Sequence, residues 1–196
     1  LAARDAKAKR VVYSASSSAY GDSKVMPLHE DLPASPKSPY GLHKYVGELY
    51  ARVMSEVYGL PTVSLRYFNV YGPGQDPDGP YALVIGRFLK QKAEGKPLTV
   101  TGDGEQTRDF THVKDVVRAN WLAATGDKVG HGEVINIGAG NNISINKLAK
   151  LIGGPIEYVP ARLEPKHTLA DNKKAKELLG WSPTIIFEDG LKELLK

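Results

Sequence analysis

Apolar residues fall in short blocks whose spacing switches along the chain between continuous runs and a helical repeat. Val11-Val12-Tyr13-Ser14-Ala15 is β-branched and uninterrupted and reads as a buried strand. Ser16 to Lys37 follows as a long loop rich in Ser, Pro and Asp, a length that tends to carry function in a compact domain. From Tyr40 to Tyr58 the residues Tyr45, Leu49, Val53 and Val57 recur every four positions, which predicts a helix stopped by Gly59. Thr62 to Arg66 predicts a second buried strand. Asn69 to Pro80, with Gly72-Pro73-Gly74 and Pro77-Asp78-Gly79, predicts an irregular stretch of turns.

Helical spacing returns over Ala82 to Ala93, followed by a strand at Leu98 to Val100 and an extended piece from Phe110 to Val113. Val113, Val116, Val117, Asn120, Trp121 and Ala124 then mark one face of an amphipathic helix. A strand at Val134 to Ile137, a helix at Ile145 to Ile152 and a strand at Ile156 to Val159 come next, and helices at Asp171 to Leu179 and Phe187 to Leu195 close the chain. Strands alternating with helices predict an α/β protein with a mainly parallel sheet. The opening stretch, Leu1 to Arg10, is strongly helix-forming, starts without Met, and carries neither a cap nor a signal-peptide pattern. It reads as the back part of something longer.

Composition narrows the function classes. With 196 residues, 41% hydrophobic and 24% charged, the chain buries a core without staples, and disordered and collagen-like classes are excluded. No apolar run approaches the ~18 residues of a membrane span. The absence of Cys excludes a disulfide scaffold, thiolate metal sites and a cysteine nucleophile, and fits a reducing, cytoplasmic setting. The net charge of +4 is dispersed, and its one local excess, Lys7 to Arg10, reads as a solvated helix face; an anionic small molecule is the expected partner, not nucleic acid or membrane. The histidines at 29, 43, 112, 131 and 167 have no metal-ligand spacing. Trp121 and Trp181 read as packing residues, and Asp76, Asp78, Asp103 and Asp109 as turn formers or caps.

The strongest chemical signal is Tyr40 with Lys44 in Ser38-Pro39-Tyr40-Gly41-Leu42-His43-Lys44. Four residues apart on a helix, the two side chains share a face, and a neighbouring ammonium favours the phenolate, turning an inert phenol into a usable base. Tyr-x-x-x-Lys arises often by chance, so its context decides. Upstream, a strand ends directly in Ser16-Ser17-Ser18-Ala19-Tyr20-Gly21, and the carboxyl ends of strands in open α/β sheets are where ligands bind.

Together with Leu65-Arg66-Tyr67-Phe68-Asn69-Val70-Tyr71-Gly72-Pro73, Gly102-Asp103-Gly104-Glu105-Gln106-Thr107-Arg108-Asp109-Phe110-Thr111-His112-Val113 and Leu178-Leu179-Gly180-Trp181-Ser182-Pro183, these segments resemble the extended short-chain dehydrogenase/reductase family over essentially the whole chain. Within it the resemblance is to NAD-dependent nucleotide-sugar epimerases of the UDP-glucose and UDP-N-acetylglucosamine 4-epimerase kind. It implies the C-terminal part of a Rossmann-like doubly wound parallel sheet with a smaller mixed α/β substrate-binding lobe. Residues 1–69 would be the back of the NAD-binding domain. Residues 70–196 would be mainly the substrate lobe, with about 109–137 returning to the Rossmann domain. By the same resemblance Ser16, Tyr40 and Lys44 are catalytic, and Tyr40, Lys44 and Phe68 contact the cofactor. Ser16, Ser17, Asn69, Leu83, Val84, Thr99, Thr101, Arg108, Arg162, Glu164 and Thr168 bind the UDP-sugar, with Arg108 gripping the diphosphate. Thr168 stands where a bulky tyrosine would admit only unmodified hexoses, so N-acetylhexosamines are expected to fit as well. A homodimer is implied for the intact enzyme.

Two departures qualify the match. None of the 20 glycines completes the Gly-rich turn that cradles the cofactor pyrophosphate in this family, and Arg162 lies one residue nearer to Glu164 than the family's arginine does. The reading is therefore 4-epimerisation of a UDP-sugar by an enzyme whose cofactor turn lies outside this chain. The alternatives are a dehydratase or decarboxylase of the same family, disfavoured by the purely hydroxylic Ser16-Ser17-Ser18 loop, and a non-catalytic sugar-nucleotide-binding fragment.

Overall fold

The computed structural model describes residues 1–79, 82–162 and 164–196, so Pro80, the end of the turn-rich stretch, lies outside the described residues. In chain order the elements are α1 (Ala2–Asp5), β1 (Val11–Ser16), α2 (Pro39–Tyr58), β2 (Thr62–Tyr67), β3 (Val70–Tyr71), α3 (Val84–Ala93), β4 (Leu98–Thr101), β5 (Thr107–Arg108) and β6 (Thr111–His112). After these come α4 (Val113–Thr125), β7 (His131–Ile137), β8 (Ile143–Ser144), α5 (Ile145–Ile152), β9 (Ile156–Val159), α6 (Lys173–Leu179) and α7 (Phe187–Leu194). The protein is α/β, as the alternation of patterns predicts.

β1, β2 and β7 form a parallel sheet in that order, with Ser16 opposite Tyr67 and Tyr67 opposite Ile137. Three strand carboxyl ends therefore arrive at one edge, where α/β sheets bind ligands. Alternation along the strands gives the two faces different chemistry. Val63, Leu65, Ile135 and Ile137 pack with Val116, Ala119 and Ala123 of α4, with Ala175 and Leu179 of α6, and with Trp181. On the alternate positions of β2, Thr62, Ser64 and Arg66 are also buried, and Arg66 meets Glu48 of α2.

That second face explains α2. Ser38 Oγ caps it by accepting the Gly41 N–H, Pro39 opens it, and Gly59 closes it at φ +65°. Its fully buried residues are Gly41 and Glu48, not the apolar repeat. A Cβ at Gly47 would meet the Tyr13 hydroxyl at 2.1 Å, so the helix reaches β1 only because that position is glycine. Val53 and Val57 of the predicted stripe are exposed, together with Leu42, Val46 and Tyr50.

A second core gathers Phe88, Leu98, Val100, Phe110, Ile145, Leu148 and Phe187 around the parallel pair β4–β9 and helices α3, α5 and α7. The short parallel pair β3–β6 and the antiparallel pair β5–β8 connect the remainder, which makes this region mixed in strand sense.

Three expectations are corrected. The helix-forming start is helical only over Ala2–Asp5: Lys7 takes a left-handed φ of 52°, and the Arg10 guanidinium is held by the carbonyls of Ala123 and Gly126 at the end of α4. In α4 the covered face is Asp115, Val116, Ala119 and Ala123, whereas Val117 and Trp121 point to solvent; Trp121 is 69% exposed and is not a packing residue. Trp181 does pack, fully buried with its indole N–H on the Asp115 carbonyl. Among the described residues no helix is long and apolar enough to cross a membrane.

Candidate functional site

Ser16 ends β1 and immediately caps a single 3-10 turn at Ser17–Tyr20, its Oγ accepting from Ser18 N at 3.2 Å and Ser18 Oγ at 2.9 Å. Tyr40 stands in the first turn of α2, and Lys44 one turn later donates from Nζ to the Ser14 carbonyl at 2.8 Å. The ammonium lies 5.9 Å from the centre of the Tyr40 ring. Gly41 brings this end of α2 against the serine turn, since a Cβ there would come within 2.9 Å of the Ser18 carbonyl. Tyr40 and Lys44 thus share a face of α2, as their spacing predicts, and Lys44 reaches the strand that ends in Ser16.

A buried ion pair holds that arrangement from below. Glu48 lies on the face of α2 shared by Tyr40 and Lys44, one helical turn beyond Lys44. It accepts two hydrogen bonds from Arg66 on β2, at 2.9 and 2.5 Å, with both side chains only 4% exposed. The guanidinium also stacks over Tyr20 at 4.5 Å. Burial pushes the Tyr20 phenol up to about 12 against the opposing pull of Arg66. Its hydroxyl donates to Asn136 at 2.7 Å.

Most residues expected to bind substrate come together around one cavity of about 230 Å³. Asn69 lies just beyond β2, Leu83 and Val84 at the start of α3, and Thr99 and Thr101 on β4; with Arg108, Arg162 and Glu164 they all line it. Asn69 connects this cavity to the strand ends, because it follows Tyr67, the register partner of Ser16, by two residues. Its φ of +27° is a strained conformation for a residue other than glycine. Its amide donates to the Asp109 carbonyl at 3.0 Å and to Thr168 Oγ1 at 3.4 Å. Thr168 does not line the cavity but supports Asn69 at its rim. Ser16 and Ser17 are likewise outside the lining. Phe68 is fully buried with Tyr20, Leu28 and Ala170 and is not brought to the cavity.

Residues that sequence reasoning did not single out also line the cavity: Arg87, Gln106, Phe88 and Phe110 among them. Arg87 lies one turn after Leu83, and Gln106, just before β5, hydrogen-bonds the Thr101 carbonyl at 2.9 Å. Helical spacing from the carried-over residues could have marked Arg87. Nothing in the local sequence marked the carboxylate of Asp109.

Asp109, expected to be a turn former, is instead fully buried and ties three segments together by accepting the N–H groups of Ala139 (2.7 Å), Gly140 (3.1 Å) and Ala170 (2.9 Å). Burial outweighs these donors and pushes its carboxyl up to about 6. A raised carboxyl binds its proton more tightly in the folded than in the unfolded chain, so its contribution to stability falls as pH rises from about 4 to about 6 and is flat on either side. The stability difference between the wild type and Asp109→Asn, measured by urea unfolding, is expected to shift by roughly 2–3 kcal/mol across that window, with the wild type relatively more stable at pH 4. A pH-independent difference would mean that Asp109 titrates like a free carboxylate.

The sheet edge and cavity define a Rossmann-like α/β protein with a Tyr-Lys pair on the helix that follows β1. Residues 1–138 match the pattern of the NAD dependent epimerase/dehydratase family, and the chain belongs to that family. It is 36% identical over 198 residues to the UDP-glucose 4-epimerase of Mycolicibacterium smegmatis, covering 97% of this chain and 62% of that protein. The structure of a UDP-N-acetylglucosamine 4-epimerase from Methanobrevibacter ruminantium, in complex with UDP-N-acetylmuramic acid, superposes with a TM-score of 0.93 at 38% identity, over 99% of this chain and 64% of that one. A Bacillus cereus UDP-glucuronic acid 4-epimerase in complex with UDP-glucuronic acid and NAD gives a TM-score of 0.91 at 39% identity, over 99% and 62%. The chain spans about three fifths of the length of the curated relatives it matches.

Proposed function

We propose that the protein carries the substrate-binding and proton-transfer half of an NAD-dependent 4-epimerase acting on UDP-sugars. The observation that carries this reading is the convergence of residues from five separate stretches of sequence, 69, 83–84, 99–101, 108, and 162 with 164, on one cavity that Asn69 joins to the strand end opposite Ser16. The Lys44 ammonium and Tyr40 phenol, on one face of α2 with Lys44 reaching β1, fit the nicotinamide-ribose part of a cofactor site. Bound NAD supplies reversible hydride acceptance, so the reaction has no net redox change.

In this reading Tyr40 is the base that takes the proton of the sugar 4-hydroxyl as C4 is oxidised, the oxidation being the chemistry that bound NAD would supply. Lys44 sets its ammonium beside the Tyr40 ring, and Ser16 bridges the proton path. Arg108 holds the diphosphate while the 4-keto sugar turns, and Tyr40 gives the proton back to the 4-oxygen when C4 is reduced on its opposite face. The Ser16-Ser17-Ser18 loop offers hydroxyls and no carboxylate, which favours epimerisation over elimination or decarboxylation. Thr168 touches the cavity only through Asn69, and its small size at the position that the resemblance assigns to the sugar 2-substituent supports UDP-N-acetylglucosamine as a substrate alongside UDP-glucose. The setting is cytoplasmic. The intact enzyme is a homodimer, supported by the exposed apolar stripe Leu42, Val46, Tyr50, Val53 and Val57 on α2.

Calorimetry tests the binding half directly. Arg108→Ala is expected to weaken UDP-glucose binding to this chain by ten- to hundredfold, about 1.5–3 kcal/mol for a charge-assisted contact. An unchanged affinity would assign Arg108 to packing alone.

A further inference from the structure

A hydroxyl that bridges a proton path accepts a proton on one side as it gives up its own on the other. Ser16 Oγ, like any serine oxygen, has one O–H and two lone pairs. One neighbour fills both lone pairs. Ser18 donates to Ser16 Oγ from its backbone N–H at 3.2 Å and from its own hydroxyl at 2.9 Å. With both acceptor positions taken, Ser16 can donate but cannot receive. Its side chain is buried, so a sugar hydroxyl hands it a proton only by replacing one of the two Ser18 donors.

The two donors differ in how readily they leave. The Ser18 N–H belongs to the 3-10 turn that Ser16 caps, and losing that bond would leave a helix-end N–H without its partner. The turn itself is pinned: Ser35 N donates to the Ala19 carbonyl at 2.9 Å, and Tyr20 is buried against the Arg66 guanidinium. The Ser18 hydroxyl has no such frame. It turns about the single bonds of a half-buried side chain, between staggered positions. Its place also suits an exchange at the proton path. A Cβ at Gly41 would meet the Ser18 carbonyl at 2.9 Å and Ser18 Oγ at 3.3 Å, so this hydroxyl lies against the first turn of α2, which carries Tyr40. The bond it makes joins two neutral hydroxyls, as a sugar hydroxyl's bond to Ser16 would, so the exchange is close to even in energy.

Resting on the UDP-sugar reading above, we propose that Ser18 is a positioning residue whose hydroxyl holds the Ser16 lone pair that the sugar 4-hydroxyl takes on binding. Ser18 keeps the Ser16 O–H aimed out of the turn until a ligand with a hydroxyl at C4 displaces it. The transfer then balances. The 4-hydroxyl proton passes to Ser16 Oγ, the Ser16 proton passes to the Tyr40 oxygen, and Ser16 ends as the neutral alcohol it began as. The 4-hydroxyl adds little to ground-state affinity, since the hydrogen bond it gains is one that Ser18 gives up. A ligand without that hydroxyl displaces nothing and leaves Ser16 a donor only.

The experiment is calorimetry on this chain with UDP-glucose and UDP-4-deoxyglucose, which differ only in the 4-hydroxyl. The proteins are the wild type, Ser18→Ala, Ser16→Ala and the double variant, with unchanged melting temperatures verifying each fold. The wild type is expected to bind the two ligands within about twofold of each other. In Ser18→Ala one lone pair of Ser16 is open, and UDP-glucose is expected to gain about three- to tenfold over UDP-4-deoxyglucose, the net contribution of one neutral hydrogen bond. In the double variant that gain is expected to vanish, because it needs Ser16 Oγ. A merely structural role for Ser18 would move both ligands together. If UDP-glucose binds and needs Arg108 but Ser18→Ala leaves the ratio unchanged or lowers it, the role of Ser18 is overturned and the UDP-sugar site stands. A gain that survives in the double variant also overturns it, since Ser18 would then act without Ser16. If UDP-glucose does not bind the wild type, the UDP-sugar reading fails and the role of Ser18 fails with it.

Discussion

Replacing Tyr40 by Phe is expected to lower 4-epimerisation by about 10²–10⁴-fold, the usual contribution of a positioned general acid–base. The affinity for UDP-glucose should stay within about threefold, because the phenol hydroxyl transfers a proton and does not grip the diphosphate. The assay uses the chain extended by a Gly-rich cofactor segment of the kind the family carries. The geometry behind the expectation is the Lys44 ammonium, 5.9 Å from the Tyr40 ring and pinned to the Ser14 carbonyl two residues before Ser16. Near-normal turnover in the variant would remove Tyr40 from the chemistry, whatever the cavity binds.

The second large effect is on stability. Glu48→Ala is expected to cost about 3–5 kcal/mol, because it leaves the Arg66 guanidinium buried without its anion. For a chain of this size that corresponds to a fall in melting temperature of roughly 10 °C. Replacing both partners together, Glu48→Leu with Arg66→Met, is expected to recover most of the loss, since an apolar pair of similar volume avoids desolvating either charge. If Glu48→Ala melts within about a degree of the wild type, the pair is solvated in solution and does not anchor α2 to β2.

The contrast between these positions shows what a sequence pattern carries. Gly59 marks the end of α2 through local chemistry, and the structure places the C-cap there. The helix Ile145–Ile152 and the strand Ile156–Val159 have their expected bounds because apolar runs are local signals. Which face of a helix is covered is a tertiary fact. Val53 and Val57 on α2 and Val117 and Trp121 on α4 obey helical periodicity yet face outward. On α2 the buried side is set by a sheet face bearing Thr62, Ser64 and Arg66, which selects Gly41 and Glu48 instead of the apolar repeat.

The candidate site was legible to the extent that its residues sit in contiguous motifs. Tyr40, Lys44 and Arg108 are marked by their neighbours in the sequence, and the cavity gathers Asn69, Thr101, Arg162 and Glu164 around Arg108. Asp109 was not legible, since its role depends on N–H groups from residues 139, 140 and 170 that only folding brings to it. Arg66 and Glu48 were hidden similarly, 18 positions apart and joined only when α2 lies across β2.

The most direct measurement of the central claim is proton NMR of UDP-glucose incubated with NAD and the chain extended by a Gly-rich cofactor segment of the kind the family carries. The account predicts conversion to UDP-galactose until an equilibrium mixture forms, with no net build-up of reduced nicotinamide and with conversion lost in Tyr40→Phe. Reduced nicotinamide accumulating in step with an oxidised sugar, or loss of water from the sugar, would contradict it.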